Sequence, residues 1–303
     1  MNIYVGVTDK EWYKQLQSQQ SDEVNFWNPG GKMFRALREN ELFLFKLHYP
    51  DNSIVGGAFF VRFSLLPPFL AWQAFGIKNG TTSYDELLKR IQKYRSRNRI
   101  DASSQIGCCI LTEPFWFAEE DWITPPEWGR SIVQGKVYST ETAAGQRLFA
   151  QIQERIPRST HSPAVLDTQQ PRYAESITKH RLGQGGFRIG VVEAYQRRCA
   201  ITGEKTLPVL EAAHIRPFAS DGPHSVNNGL LLKSDFHTLF DDGYITVSPD
   251  LHIEVSKRLH DDYGNGKDYY RFHGQQLLIV PNQTILLPSK EFLQWHNEHI
   301  YLG

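Results

Sequence analysis

The sequence predicts an α+β chain built as two domains, and three observations carry that reading. Short runs rich in β-branched and aromatic residues recur through the first half between Gly and Pro punctuation. Between them lie segments whose apolar residues return every three or four positions, the period of a helix with one buried face. A polar interval at 157–180 with three prolines and no sustained period then separates the halves. At 303 residues the chain is long enough for each half to bury a core of its own.

In chain order, strands are expected at 42–47, 53–63, 106–111 and 132–138. Gly56 and Gly57 inside the second run mark a bulge or a close backbone approach. A helix is expected at 83–95, where Tyr84, Leu87, Leu88, Ile91 and Tyr94 share a face, and another at 142–156 through Leu148, Phe149 and Ile152. Pro157 ends the second, because its ring cannot continue a helix. This makes 1–156 one domain, 157–180 a linker and 181–303 a second domain. There, 187–197 reads as a helix with Ile189, Val192 and Tyr195 on one side. Strands follow at 207–213, 230–232 and 244–247, and short helices at 235–240 and 289–299.

Composition narrows the class. Hydrophobic residues make up 40% of the chain and aromatic residues 13%, which is globular rather than disordered. The formal net charge is zero, so any surface that binds phosphate must be local. Cys108, Cys109 and Cys199 form no CxxC pair, and no disulfide framework is expected. The start MNIYVGVTDKEWY has neither a basic nor an apolar leader segment, and no run approaches eighteen apolar residues. A soluble cytoplasmic protein is the expectation.

The segment 199–243 reads CAITGEKTLPVLEAAHIRPFASDGPHSVNNGLLLKSDFHTLFDDG. It places Asn228 fourteen positions after His214, and His237 nine positions further on. Its neighbourhoods are strand-like at LPVLEAAHI, loop-like at DGPHSVNN and helix-like at SDFHTLF. In order, spacing and context this resembles the HNH nuclease family. The resemblance implies a ββα-metal fold, with His214 as general base, Asn228 bracing the loop and His237 binding a divalent metal. The chemistry requires such parts: phosphodiester hydrolysis takes a deprotonated water and a cation to neutralise the phosphate. Asp241 follows His237 by four residues and so shares its helical face, which makes it a second candidate ligand.

Two departures stand out. Many HNH enzymes carry a ligand immediately before the general base, whereas this chain has Ala213. Glu211 offers an oxygen nearby, but strand alternation turns it away from His214, and it carries little weight as a ligand. Mixed His and carboxylate ligation suits Mg²⁺, Mn²⁺, Ni²⁺ or Zn²⁺. The paired cysteines of a zinc knuckle are also missing: Cys199 is followed by Thr202, with Lys233 and Phe236 later. Packing of Phe187, Tyr195, Phe236 and Phe240 must then hold the motif together. Arg216, Arg198 and Lys233 are the candidate phosphate contacts, with Arg188 and Arg197 nearby. His224, beside Pro223 in the loop, reads as solvent-exposed, with metal ligation as the alternative.

The first half holds six of the seven tryptophans, several in clusters such as VNFWNPGG and EPFWF. The succession FWNP, RALRENELFLFKLH, SIVGGAFF, LTEPFWF and IVQGKVY is similar to EVE domains of the PUA-like superfamily. That similarity implies a small β-barrel with helices whose aromatic walls recognise a modified base. Trp27, Phe26, Trp72 and Trp116 are the candidates for that pocket, each with the alternative of a place in the core. The whole chain then resembles EVE-HNH modification-dependent restriction endonucleases. The expected partner is double-stranded DNA with methylated or hydroxymethylated cytosine, cut as a defence against phage. Two-stranded cutting implies a homodimer, with 289–299 as a candidate contact. Two alternatives stay open: an HNH nuclease acting on unmodified DNA, and a decayed HNH module that only binds nucleic acid.

Overall fold

The computed structural model describes residues 1–19, 21–95, 104–129, 131–156 and 182–303. The chain divides into two compact units, Met1–Gly183 and Gln184–Gly303. The expected linker at 157–180 lies outside the described residues. No helix among the described residues is long and apolar enough to cross a membrane.

The first unit is a six-stranded mixed sheet flanked by helices. Its strands are β1 (Asn2–Thr8), β2 (Glu23–Asn28), β3 (Leu42–Leu47), β4 (Ile54–Leu66), β5 (Ile106–Trp116) and β6 (Gly135–Ser139), in the order β2-β5-β4-β3-β1-β6. All neighbours are antiparallel except β1 and β3. No pairing joins β2 to β6 among the described residues, so the expected barrel is here an open sheet. Hydrophobic alternation is the same in both arrangements, which is why the strand runs could not separate them.

Strand β3 explains the layering. Its run LFLFKL is buried along its whole length, so both faces must be covered. Phe43, Phe45 and Leu47 join Trp12, Tyr13 and Leu16 of α1 (Lys10–Gln17) on one side. Leu42 and Leu44 join Leu148 and Ile152 of α4 (Ala143–Arg155) on the other. Both helices start on side-chain caps. Asp9 Oδ1 accepts from Trp12 N at 2.7 Å, and Thr142 Oγ1 accepts from Gly145 N at 3.2 Å. Helices α2 (Pro68–Phe75) and α3 (Tyr84–Arg95) connect β4 to the chain before β5. Gly56 is required by a close approach: a Cβ there would lie 2.3 Å from the Phe115 carbonyl oxygen across the ladder.

The second unit begins with α5 (Gln184–Ala194), which stops three residues short of the expected end because Gln196 and Arg197 turn to positive φ. It packs on the hairpin of β7 (Leu210–His214) and β8 (Gly229–Lys233), followed at once by α6 (Ser234–Asp241). Residues 207–209, expected as strand, form a 3₁₀ turn around Pro208. A second hairpin, β9 (Ile245–Val247) with β10 (Ile253–Val255), leads to α7 (Arg258–Tyr263), α8 (Lys267–Tyr270) and α9 (Lys290–His299). The four expected packing residues are buried, and Tyr195 donates its hydroxyl to the Gly229 carbonyl at 3.2 Å. Cys199 is fully buried.

His296 of α9 closes the far side of α6. It is 2% exposed and stacks on Phe240 at 3.8 Å. It donates from Nε2 to the Phe240 carbonyl at 3.1 Å, while Nδ1 lies 2.8 Å from the Thr246 hydroxyl. Burial lowers its pKa to about 4, partly opposed by the Phe240 carbonyl and by Asp241. The unfolded chain therefore binds a proton that the folded unit refuses. Stability from this group is complete above pH 6.5 and is lost as pH falls from there towards 4, by about 1.4 kcal/mol per unit. Denaturant unfolding of wild type and His296→Gln at pH 7.5 and 5 checks this: the wild type should lose more stability than the variant on acidification.

Candidate active site

The hairpin and the helix after it set the geometry. His214 is the last residue of β7 and stands opposite Gly229, the first of β8. A Cβ at Gly229 would lie 2.5 Å from Val191, so only glycine lets α5 approach this closely. That approach lays Phe187 flat on the His214 ring, with centroids 3.9 Å apart and planes 16° apart.

Asn228 spans the loop between the strands. Its Oδ1 accepts from Arg216 N, and its Nδ2 donates to the carbonyls of Arg216 and Pro223, all at 2.9 Å. Its own carbonyl accepts from Ile215 N at 2.9 Å. The side chain is fully buried and its amide serves the backbone at both ends of the loop.

His237, in the middle of α6, lies between two carboxylates. Its Nδ1 is 2.6 Å from Glu211 Oε2, and its Nε2 is 3.2 Å from Asp241 Oδ2. The Asp241 contact is the expected i, i+4 pair. The Glu211 contact with His237 was not expected from the sequence. Glu211 does alternate away from His214 along β7, but that opposite face is the one packed against α6. Ala213 shares it and is fully buried, so the position before His214 is filled by a methyl group.

The two histidines are tuned apart. Burial pulls His214 down to about 4, helped by His224 and His237 and opposed by Asp241, so the ring is uncharged at neutral pH. For His237 burial acts the same way, but hydrogen bonds and charge from Asp241 and Glu211 outweigh it and its pKa is raised. One ring stays uncharged and the other sits between two carboxylates.

Among the described residues, no three His, Cys, Asp or Glu side chains form a ready-made metal cluster. Glu211 and Asp241 meet opposite nitrogens of one ring, so the three do not converge. Two do: Nε2 and the Asp241 carboxylate are separated by 3.2 Å. Two neighbouring ligands of one small divalent ion lie about 3 Å apart. A carboxylate behind Nδ1, as Glu211 is here, would orient the imidazole and make it more basic were Nε2 to bind a metal. The residues fit a hard cation that keeps most of its other positions for water or phosphate.

The expected phosphate contacts differ in their freedom. Arg216 donates from Nε to the Ser220 carbonyl at 2.6 Å and lies over the Trp295 ring at 5.5 Å, which orients its guanidinium. Arg198 donates from Nε to Gly203 O at 3.4 Å. Lys233 pairs with Asp235 at 3.1 Å, which partly neutralises it. Beyond Glu211, sequence reasoning missed His224: instead of facing solvent it pairs with His214 Nε2 at 2.9 Å. The GPH string offered no periodic signal for that contact.

In the first unit, a cavity of about 360 Å³ opens beside β2. Phe26 and Trp27 line it with Tyr4, and Asp9, Asn28, Lys32 and His48 supply polar groups. Trp27 is anchored by donating Nε1 to the Asn79 carbonyl at 2.9 Å. The other two cage candidates are elsewhere. Trp116 is 2% exposed in the core and stacks on Phe45 at 5.2 Å, and Trp72 packs against Tyr84 at 6.4 Å. Trp116 points inward because β5 is covered on both faces, a condition its local sequence does not reveal.

The second unit thus carries His214, Asn228 and His237 on a two-stranded hairpin and the helix that follows it. Residues 199–248 match the family model described as HNH endonuclease. No curated protein matches the chain. Among solved structures it is similar to ASCH from Zymomonas mobilis at 11% identity and TM-score 0.34, covering 48% of this chain and 93% of that one. It is also similar to the modification-dependent TagI restriction endonuclease at 13% identity and TM-score 0.28, covering 93% of this chain and 76% of that one.

Removing the Glu211 charge should free the His237 ring on its Nδ1 side while leaving the Asp241 contact in place. Glu211→Gln is expected to weaken Mn²⁺ binding about tenfold or more, and Asp241→Asn further still. Calorimetric titration of the full chain reads both, and unchanged affinity in Glu211→Gln would show that its contact with His237 does not bear on metal binding.

Proposed function

We propose that the chain is a metal-dependent endonuclease that cuts double-stranded DNA carrying modified bases such as methylated or hydroxymethylated cytosine. The observation that carries this reading is the pairing, inside an HNH segment, of an uncharged His214 with a His237 held between Glu211 and Asp241.

His214 takes a proton from the water that attacks phosphorus, which requires an unprotonated ring. Bound by His237 and Asp241, a divalent cation would offset the charge gathering on the phosphate and its leaving oxygen. Asn228 keeps the loop, and with it Arg216, at a fixed place, so that the guanidinium meets a phosphate without first being ordered. Lys233 and Arg198 add positive potential at the edge.

Choice of target is assigned to the first unit. The aromatic faces of Phe26 and Trp27 suit stacking on an extruded base, and nearby carboxylate, amide, ammonium and imidazole groups suit reading its edge. A volume of about 360 Å³ is in the range of small-ligand pockets. Cutting both strands takes two nuclease sites, so two copies of the chain act on one duplex.

His214→Ala should lower nicking by at least about 100-fold while gel-shift binding is retained. Wild-type activity at saturating metal should hold from pH 7 to about 5, because a base with pKa about 4 is still unprotonated there. A fall beginning near 6.5 would contradict that account. Matched plasmids with and without modified cytosine test the reader, and Trp27→Ala should cut both alike. If the wild type already does so, unmodified DNA is the substrate.

A further inference from the structure

We propose that His224 is a positioning residue for the general base: its Nδ1 accepts the Nε2–H of His214, which holds that ring as the tautomer whose Nδ1 receives the proton from water. This deepens the nuclease reading and rests on it.

The geometry carries the assignment. His214 Nε2 and His224 Nδ1 are 2.9 Å apart, a hydrogen-bond distance between two ring nitrogens. One of the two must donate. If His224 donated, Nδ1 of His214 would carry the hydrogen and the ring would have no lone pair left to act as a base. Only the reverse arrangement leaves a proton acceptor. His214 Nδ1 makes no hydrogen bond among the described residues, whereas Nε2 is committed to His224.

Both rings are clamped from outside the pair. Phe187 lies on His214 at 3.9 Å, and Phe218 lies on His224 at 4.6 Å with planes 4° apart. The backbone of the preceding residue is held by Asn228 Nδ2 on the Pro223 carbonyl at 2.9 Å. The buried amide thus sets both members of the pair. When His214 Nδ1 takes its proton, the Nε2–H bond to His224 becomes charge-assisted and strengthens. One hydrogen arrives from water and one stays in the bond, so no proton is created or lost.

The test uses the full chain with Mn²⁺ and supercoiled plasmid. His224→Ala is expected to lower kcat on the order of 10- to 100-fold with KM for DNA nearly unchanged. His224→Asn sets Oδ1 where Nδ1 was, an acceptor in the same place, and should recover at least about tenfold of that loss. Nitrogen-15 spectra should report His214 as the Nε2–H tautomer in wild type and a mixture of tautomers in His224→Ala. Melting temperatures identify any variant that fails to fold. Wild-type kcat in His224→Ala, an Nδ1–H tautomer in the wild type, or an Asn variant no better than Ala would each overturn the proposal. His214→Ala is the separate control: if it still cuts, the base assignment itself falls, whatever the tautomer spectrum reads.

Discussion

The second unit depends on one buried amide. Asn228 is fully enclosed, and its side chain bonds to the backbone at Arg216 and Pro223. A loop of this length has many conformations of similar energy, and closing it costs entropy that no regular ladder recovers. The amide selects one. It fixes the residues after His214 and the residue before His224, so the two imidazoles meet at a set distance. The absence of a zinc knuckle makes this more demanding, since packing of Phe187, Tyr195, Phe236 and Phe240 must supply the rigidity that a metal would give.

Two histidines on adjoining elements acquire opposite character from their surroundings. His214 loses solvent to Phe187 and gains another imidazole as neighbour; His237 loses solvent too but gains two carboxylates. Desolvation is common to both, so the carboxylates decide the sign. Such divergence between neighbouring groups marks acid, base and ligand roles in an active site. Glu211 supplies one of those carboxylates from β7.

The aromatic residues of the first unit build its core and line its cavity. Trp12, Phe43, Phe45 and Trp116 belong to the core under α1, and Trp12 also reaches the cavity. Phe26 and Trp27 come from β2, the edge strand of the sheet, and line the cavity, with Phe26 packed against the same core.

Much of this was legible in the residues alone. The α+β class, the strand at Leu42–Leu47, the helices around 84–95 and 143–155 and the ordered His214, Asn228 and His237 all follow from local patterns, because periodicity and spacing are properties of neighbours in the chain. The i, i+4 step alone brings Asp241 to His237. The tertiary structure decided what depends on faces meeting across distance. It turned Glu211 onto His237, paired His224 with His214, sent Trp116 into the core and left the sheet open. Each of these rests on which surface covers which, and a strand's own alternation says only that it has two faces, not what lies against either.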